Sequence, residues 1–236
     1  MKNAGGTIYG WWFWRSANEI SIYIDTIIDV KENPVIKTFT DTFRKIPFNG
    51  DLVCNTADSV LEIAQNDKRN EFLDVILSSP ELITLDKVNN AIFILELAKT
   101  INVIDKLAAN DKVKYIANLF RNSFIVNDNL NLSQYEEFLN RINELSYREI
   151  DILIQLYKCQ VNNDEFYTEI NKKHNLSNSI INSILSSITR TGFCKEKVGA
   201  YFDYEGDSYH TTEYFKQFLL MINLNFPTSK GGRNAW

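Results

Sequence analysis

The chain is poor in the residues that punctuate or cross-link a fold. Four prolines and nine glycines among 236 residues leave little turn chemistry, which disfavours a β architecture of many short strands and favours helices. The three cysteines, Cys54, Cys159 and Cys194, are isolated and form no CxxC pair. Neither a zinc site nor a disulfide framework is therefore indicated, and each reads as a small buried apolar residue suited to a reducing cytoplasm. The two histidines, His174 and His210, have no Cys, Asp or Glu at a metal-ligand spacing on their own elements. His174 reads as a helix C-terminal residue and His210 as a strand residue. P-loop, GxGxxG, HExxH and GxSxG motifs are all missing, so no catalytic residue and no cofactor is expected. No apolar run approaches the ~20 residues of a membrane-spanning helix. No signal peptide is expected either, because the aromatic run at 10–14 has no small-residue cleavage site after it.

Basic charge is also in short supply. Lys and Arg number 25 against 30 Asp and Glu, a net −5, and residues 144–236 hold 10 basic and 11 acidic side chains. Neither half carries the field of a dedicated nucleic-acid binder. The 44% hydrophobic and 23% charged shares are those of a globular protein of 236 residues, long enough for a sizeable core. Asn and Ile are abundant, which reads as coding bias without mechanical content.

Helical patterns dominate what is present. After an aromatic segment at 1–15, Ser16 and Glu19 form a capping box ahead of Ile20, Tyr23, Ile24, Ile27 and Ile28, although Ile20, Ile22 and Ile24 also alternate like a strand. Pro34 opens a helix to about Lys45, with Val35, Ile36, Phe39 and Phe43 apolar. Pro47, Asn49 and Gly50 break the chain. Helices are then expected at about 54–65, 68–77, 86–108 and 111–124. The third of these carries a stripe of Val88, Ile92, Leu95, Leu97, Ala98, Ile101 and Ile104. Ser133 and Glu136 suggest another capping box, opening a helix with Tyr135, Phe138, Leu139 and Ile142 inward. These readings divide the chain into the segment 1–15, a helical domain at 16–144, a second domain at 145–224 packed directly on it, and a tail at 225–236.

The second domain has the order of a winged helix. Ser146 and Glu149 cap a helix burying Ile150, Leu153, Ile154 and Tyr157, and Phe166 and Ile170 face inward from the next. A turn is expected at Lys172, Lys173, His174 and Asn175, followed by a third helix capped by Ser177, with Ile180, Ile181, Ile184, Leu185 and Ile188 apolar. Asn178, Asn182, Ser186 and Thr189 make its polar stripe, with Arg190 at its end. In a DNA reader this helix enters the major groove, where Asn and Arg recognise adenine and guanine edges. Gly192 is the expected left-handed stop. Two short extended stretches would then pair, Phe193 to Val198 and Ser208 to His210, leading into a helix with Tyr214, Phe215, Phe218, Leu219 and Ile222. The intervening tip carries Asp203, Glu205 and Asp207, which would repel phosphates. Its Gly stands fourth and Tyr214 twelfth, against the sixth-position Gly and twelfth-position Glu of a calcium loop, so a solvated tip is preferred to a metal site.

The phrase Leu145-Ser146-Tyr147-Arg148-Glu149-Ile150-Asp151-Ile152-Leu153, together with the wing and closing helix from Gly192 to Ile222, resembles uncharacterised bacterial and prophage helical proteins with a C-terminal winged helix. Many of those have Gly where Tyr214 or Phe215 falls here. The resemblance implies a mainly α fold, a multi-helix body packed on a winged helix, and no transferable chemistry. The expected function is a non-enzymatic, cytoplasmic interaction or regulatory protein, with protein docking (or homo-oligomer contact) and duplex-DNA binding equally open. Contact residues would be Lys172, Lys173, Asn178, Asn182, Ser186, Arg190, Lys195 and Lys197. Trp11, Trp12 and Trp14 form a candidate hydrophobic docking strip, which alternatively anchors the protein to a membrane surface or folds back over the helical core. An enzyme with a site built from distant acidic residues ranks last.

Overall fold

The computed structural model describes residues 33–46, 57–127, 131–159, 163–197 and 209–222. The aromatic segment, the element after Ser16, the acidic tip and the tail all lie outside them. Ten helices are present among the described residues: α1 (Pro34–Arg44), α2 (Ala57–Ile76), α3 (Leu85–Val88), α4 (Ala91–Lys106), α5 (Val113–Arg121), α6 (Leu132–Glu144), α7 (Tyr147–Lys158), α8 (Asn163–His174), α9 (Asn178–Ile188) and α10 (Glu213–Met221). Strands β1 (Cys194–Glu196) and β2 (Tyr209–Thr211) pair antiparallel, with Lys195 opposite His210. Among the described residues the fold is mainly helical with one small sheet, and no helix is long and apolar enough to cross a membrane.

Helix starts are fixed by short polar side chains, and asparagine does much of this. Asn33 accepts from the Val35 amide at 2.9 Å, Asn90 from those of Ile92 and Phe93, and Asn131 from that of Gln134. Part of the asparagine content therefore does have a mechanical role, in satisfying helix-terminal donors. Asn131, not Ser133, is the cap of α6. At α7 the Ser146–Glu149 box forms as its spacing implies, and Thr212 caps α10.

Two boundaries differ from the sequence reading for physical reasons. The helices expected at 54–65 and 68–77 are a single α2: the gap expected at 66–67 is helical, and Lys68 and Arg69 beside it are buried and satisfied there. Lys68 donates to the Leu107 carbonyl, and Arg69 holds Asp105 through two bonds of 2.9 and 2.6 Å while also donating to the Ile46 carbonyl. The expected helix at 86–108 is instead two, interrupted at Asn90. The break rotates the stripe: Ile92 and Leu95 are 50% and 55% exposed, whereas Phe93, Glu96, Leu97, Thr100, Ile101, Ile104 and Asp105 are buried. The buried polar members have partners. Thr100 shares a hydrogen bond with Tyr135, and Lys99 bridges Glu96 and Glu136 at 2.6 and 2.8 Å.

Helix α5 lies at the centre of the body, packed on α2, α4 and α6. A chain of rings runs through it, from Phe43 on Phe72 to Phe120, then to Phe93, Phe124 and Tyr135. Helices α7, α8 and α9 pack on one another, and β2 lies against α7. A second ring cluster joins Phe138 of α6 to Phe193, Tyr214 and Phe218. The junction is also tied by polar bonds. Lys112 donates to the carbonyls of Ile142, Asn143 and Leu145, closing the end of α6, and burial lowers the pKa of its ammonium.

Helix α9 runs into a single tight turn, Thr189–Thr191, and stops at Gly192 with φ 78°. A Cβ there would meet Tyr214 at an ordinary 3.9 Å, so the backbone angle alone demands glycine. Gly192→Ala is expected to cost about 1–2 kcal/mol in urea titration, and Gly192→Asn less, since Asn visits this region more readily.

Candidate interaction surface

Helix α9 buries Ile181, Leu185 and Ile188, fixing which residues can face a partner. Outward-facing are Asn178, Ser179, Ile180, Ser183, Ser186 and Ser187, and Ile180, one of the residues on the expected apolar side, is 49% exposed. The helix contains no charged residue over its eleven positions. Its N-cap Ser177 makes no side-chain capping bond.

The expected contact residues divide into two groups. Lys172, Ser186, Arg190, Lys195 and Lys197 are exposed. Three others are engaged by neighbouring helices. Tyr167 donates its hydroxyl hydrogen to Asn182 Oδ1 at 2.6 Å, and Asn171 donates to Asn178 Oδ1 at 3.0 Å. Lys173 Nζ lies 2.6 Å from Asp151 Oδ1. Residues Lys172, Lys173 and His174 belong to the last turn of α8, and the chain reverses at Asn175, whose φ is 53°. Trp11, Trp12 and Trp14 lie outside the described residues.

Asp151 is the organising residue that the sequence reading passed over. It stands in the run Ile150-Asp151-Ile152-Leu153-Ile154, buried with its neighbours, and its second oxygen lies 2.7 Å from His174 Nε2. An acid inside an apolar run facing the basic end of the next helix was the available signal. The carboxylate thereby fastens α8 to α7, holding the Lys173 ammonium at a helix C-terminus, where a cation also suits the dipole, and bonding to His174. Tyr115 of the body stacks on Tyr147 of α7 at 6.2 Å, and burial raises the pKa of its hydroxyl.

Strand β1 begins at Cys194, whose thiol donates to the Leu185 carbonyl and whose pKa burial pushes up to about 12. It is a packing residue joining β1 to α9. Among the described residues no group of three or more His, Cys, Asp or Glu side chains could hold a metal ion. No family model, curated protein or solved structure matches the chain.

Proposed function

We propose that the helices α7 to α9, the β1–β2 hairpin and α10 form a winged helix that serves as a protein-docking module in a non-enzymatic interaction or regulatory protein. The element order, the left-handed stop at Gly192, the antiparallel strand pair and the Thr212-capped closing helix support the architecture. The uncharged face of α9 with Ile180 half exposed carries the choice of partner. Affinity for a duplex comes chiefly from phosphate neutralisation, whereas the core of a protein interface is depleted in charge. Both asparagines of α9 are also occupied, by Tyr167 and Asn171, which blunts base reading.

A duplex-DNA reading has one observation in its favour: Lys172, Arg190, Lys195 and Lys197 are exposed on the elements flanking α9. The two readings separate in one experiment on the full chain. Random duplex at about 50 mM salt is expected not to retain the protein. Cross-linking pull-down with light scattering is expected to detect a protein complex, which Ile180→Asp weakens by at least about 30-fold, the scale of a buried anchor. An Arg190→Ala/Lys195→Ala/Lys197→Ala variant should leave that complex within about threefold, as exposed charges contribute little. Retention on duplex that falls steeply with salt and vanishes in the triple variant would reassign the surface to DNA.

A further inference from the structure

A cleft of about 250 Å³ opens between the start of α4 and the wide turn at Asn122–Val126 that follows α5. It is lined by Lys87, Asn90, Ile92, Phe93, Ser123, Phe124 and Asn127. The rings of Phe93 and Phe124 meet edge to face at 6.2 Å and 86°. Three of its polar residues are committed to backbone: Asn90 to the amides of Ile92 and Phe93, Lys87 to the Ile125 carbonyl, and Asn127 to the Asn122 carbonyl. Ser123 is different. It is 2% exposed, and its Oγ has no hydrogen-bond partner. A buried hydroxyl without a partner is costly, so a donor delivered into the cleft would relieve it.

We propose that this cleft seats a tryptophan indole from the chain's own aromatic segment at 9–14. The volume lies below the roughly 300–1,000 Å³ of small-molecule sites, which suits one large side chain. Indole carries an N–H donor, which a hydroxyl oxygen such as Ser123 Oγ can accept, and a flat apolar ring that suits a cleft lined by Phe93 and Phe124. Ile92, Leu95, Leu85 and Val126 on the elements that form or flank the cleft are exposed, and apolar groups left in water favour a cover. Chain geometry allows it. Helix α1 packs on α3, and its Phe39 lies 6.2 Å from Phe93, the wall of the cleft. Asn33 precedes Phe39 by about 9 Å of helical rise. The stretch from Trp14 to Asn33 can span at most about 60 Å, so the chain is long enough to bring the segment to the cleft. The rival tryptophan, Trp236, ends a polar stretch without neighbouring aromatics, whereas 9–14 offers three indoles.

Every tryptophan lies outside the described residues, so intrinsic fluorescence reports these segments alone. In the Trp236→Phe full chain, emission is expected to be blue-shifted and shielded from acrylamide. Ile92→Glu and, independently, Leu95→Glu alter exposed positions, so far-ultraviolet dichroism should not change. Each should lower the docked-to-free ratio by at least about tenfold, because an apolar contact would have to desolvate a carboxylate. Ser123→Ala should lower it by about fivefold through loss of the hydrogen bond. Solvent-like emission before any cleft substitution would overturn the proposal, as would shielding that Ile92→Glu and Leu95→Glu leave intact. So would shielding lost with Trp236, shielding that requires high protein concentration, or shielding that requires phospholipid vesicles. Those last three outcomes would assign the occupant to the tail, a second copy or a membrane.

Discussion

Arg69→Met is expected to destabilise the protein by about 3–5 kcal/mol, the scale found when one partner of a buried ion pair is removed. Arg69 on α2 and Asp105 near the end of α4 are almost wholly buried, and two near-parallel bonds of 2.9 and 2.6 Å join them. The same guanidinium holds the Ile46 carbonyl beyond α1, so one side chain pins three parts of the body. Methionine keeps the aliphatic stem but leaves the Asp105 carboxylate without its counter-charge in a poorly solvated place. The Arg69→Met/Asp105→Leu double variant removes both charges and is expected to recover most of the loss, since desolvation offsets much of the attraction between buried ions. Arg69→Lys should fall between, as a point charge cannot reproduce the planar fork. Urea unfolding gives the test, with the midpoint shifting while the slope stays constant. A loss below about 1 kcal/mol for Arg69→Met would mean that the pair is hydrated in solution and behaves as a surface bridge.

That pair also shows why part of the fold was legible and part was not. Local signals transferred well. Ser146 and Glu149 are three residues apart, Gly192 follows its helix directly, and Thr212 precedes its own, so the relevant bonds are written within a few positions. The gap expected at 66–67 did not form, and what anchors the helix there is distant in sequence: the partner of Arg69 lies 36 residues away and that of Lys68 lies 39 away. Without those partners, nothing near Asn66-Asp67 marks the helix as continuous; with them, Lys68 and Arg69 are buried on one long helix. Helix α4 fails in the same way from the other side. Its apolar stripe counted Ile92 and Leu95, which are exposed, and left out Glu96, Thr100 and Asp105, which are buried and bonded to Lys99, Tyr135 and Arg69.

The candidate surface follows the same rule. Periodicity placed Ile181, Leu185 and Ile188 inward, and they are buried. It could not reveal that Asp151 takes up Lys173, or that Tyr167 occupies Asn182, because those bonds join separate helices. What remains available to a partner is less basic than the residue types suggest, which is why the uncharged α9 face weighs more than the nearby lysines.

Phe138→Ala carries the other large expected effect, about 3–5 kcal/mol, because the side chain is fully buried and its removal leaves a cavity among rings that cannot collapse freely. Phe138 belongs to α6, yet its neighbours Phe193, Tyr214 and Phe218 lie beyond Leu145, at 6.4, 5.1 and 5.4 Å between ring centres. Buried residues on both sides of that position form one cluster, and Asn122 donates to the Met221 carbonyl at 2.6 Å as a further tie. Cooperative unfolding of the whole molecule is therefore expected. Under it, Phe138→Ala should speed hydrogen exchange by a similar factor in α5 and in α9, and Phe120→Ala, in the first ring chain, should do the same. If the junction were merely an interface between two independently stable units, Phe138→Ala would raise exchange chiefly at the interface, and Phe120→Ala would leave α9 protected. A uniform response to both substitutions means that a partner bound on α9 draws on the stability of the whole chain. A divided one means that α7 to α10 can be ordered or loosened without the body.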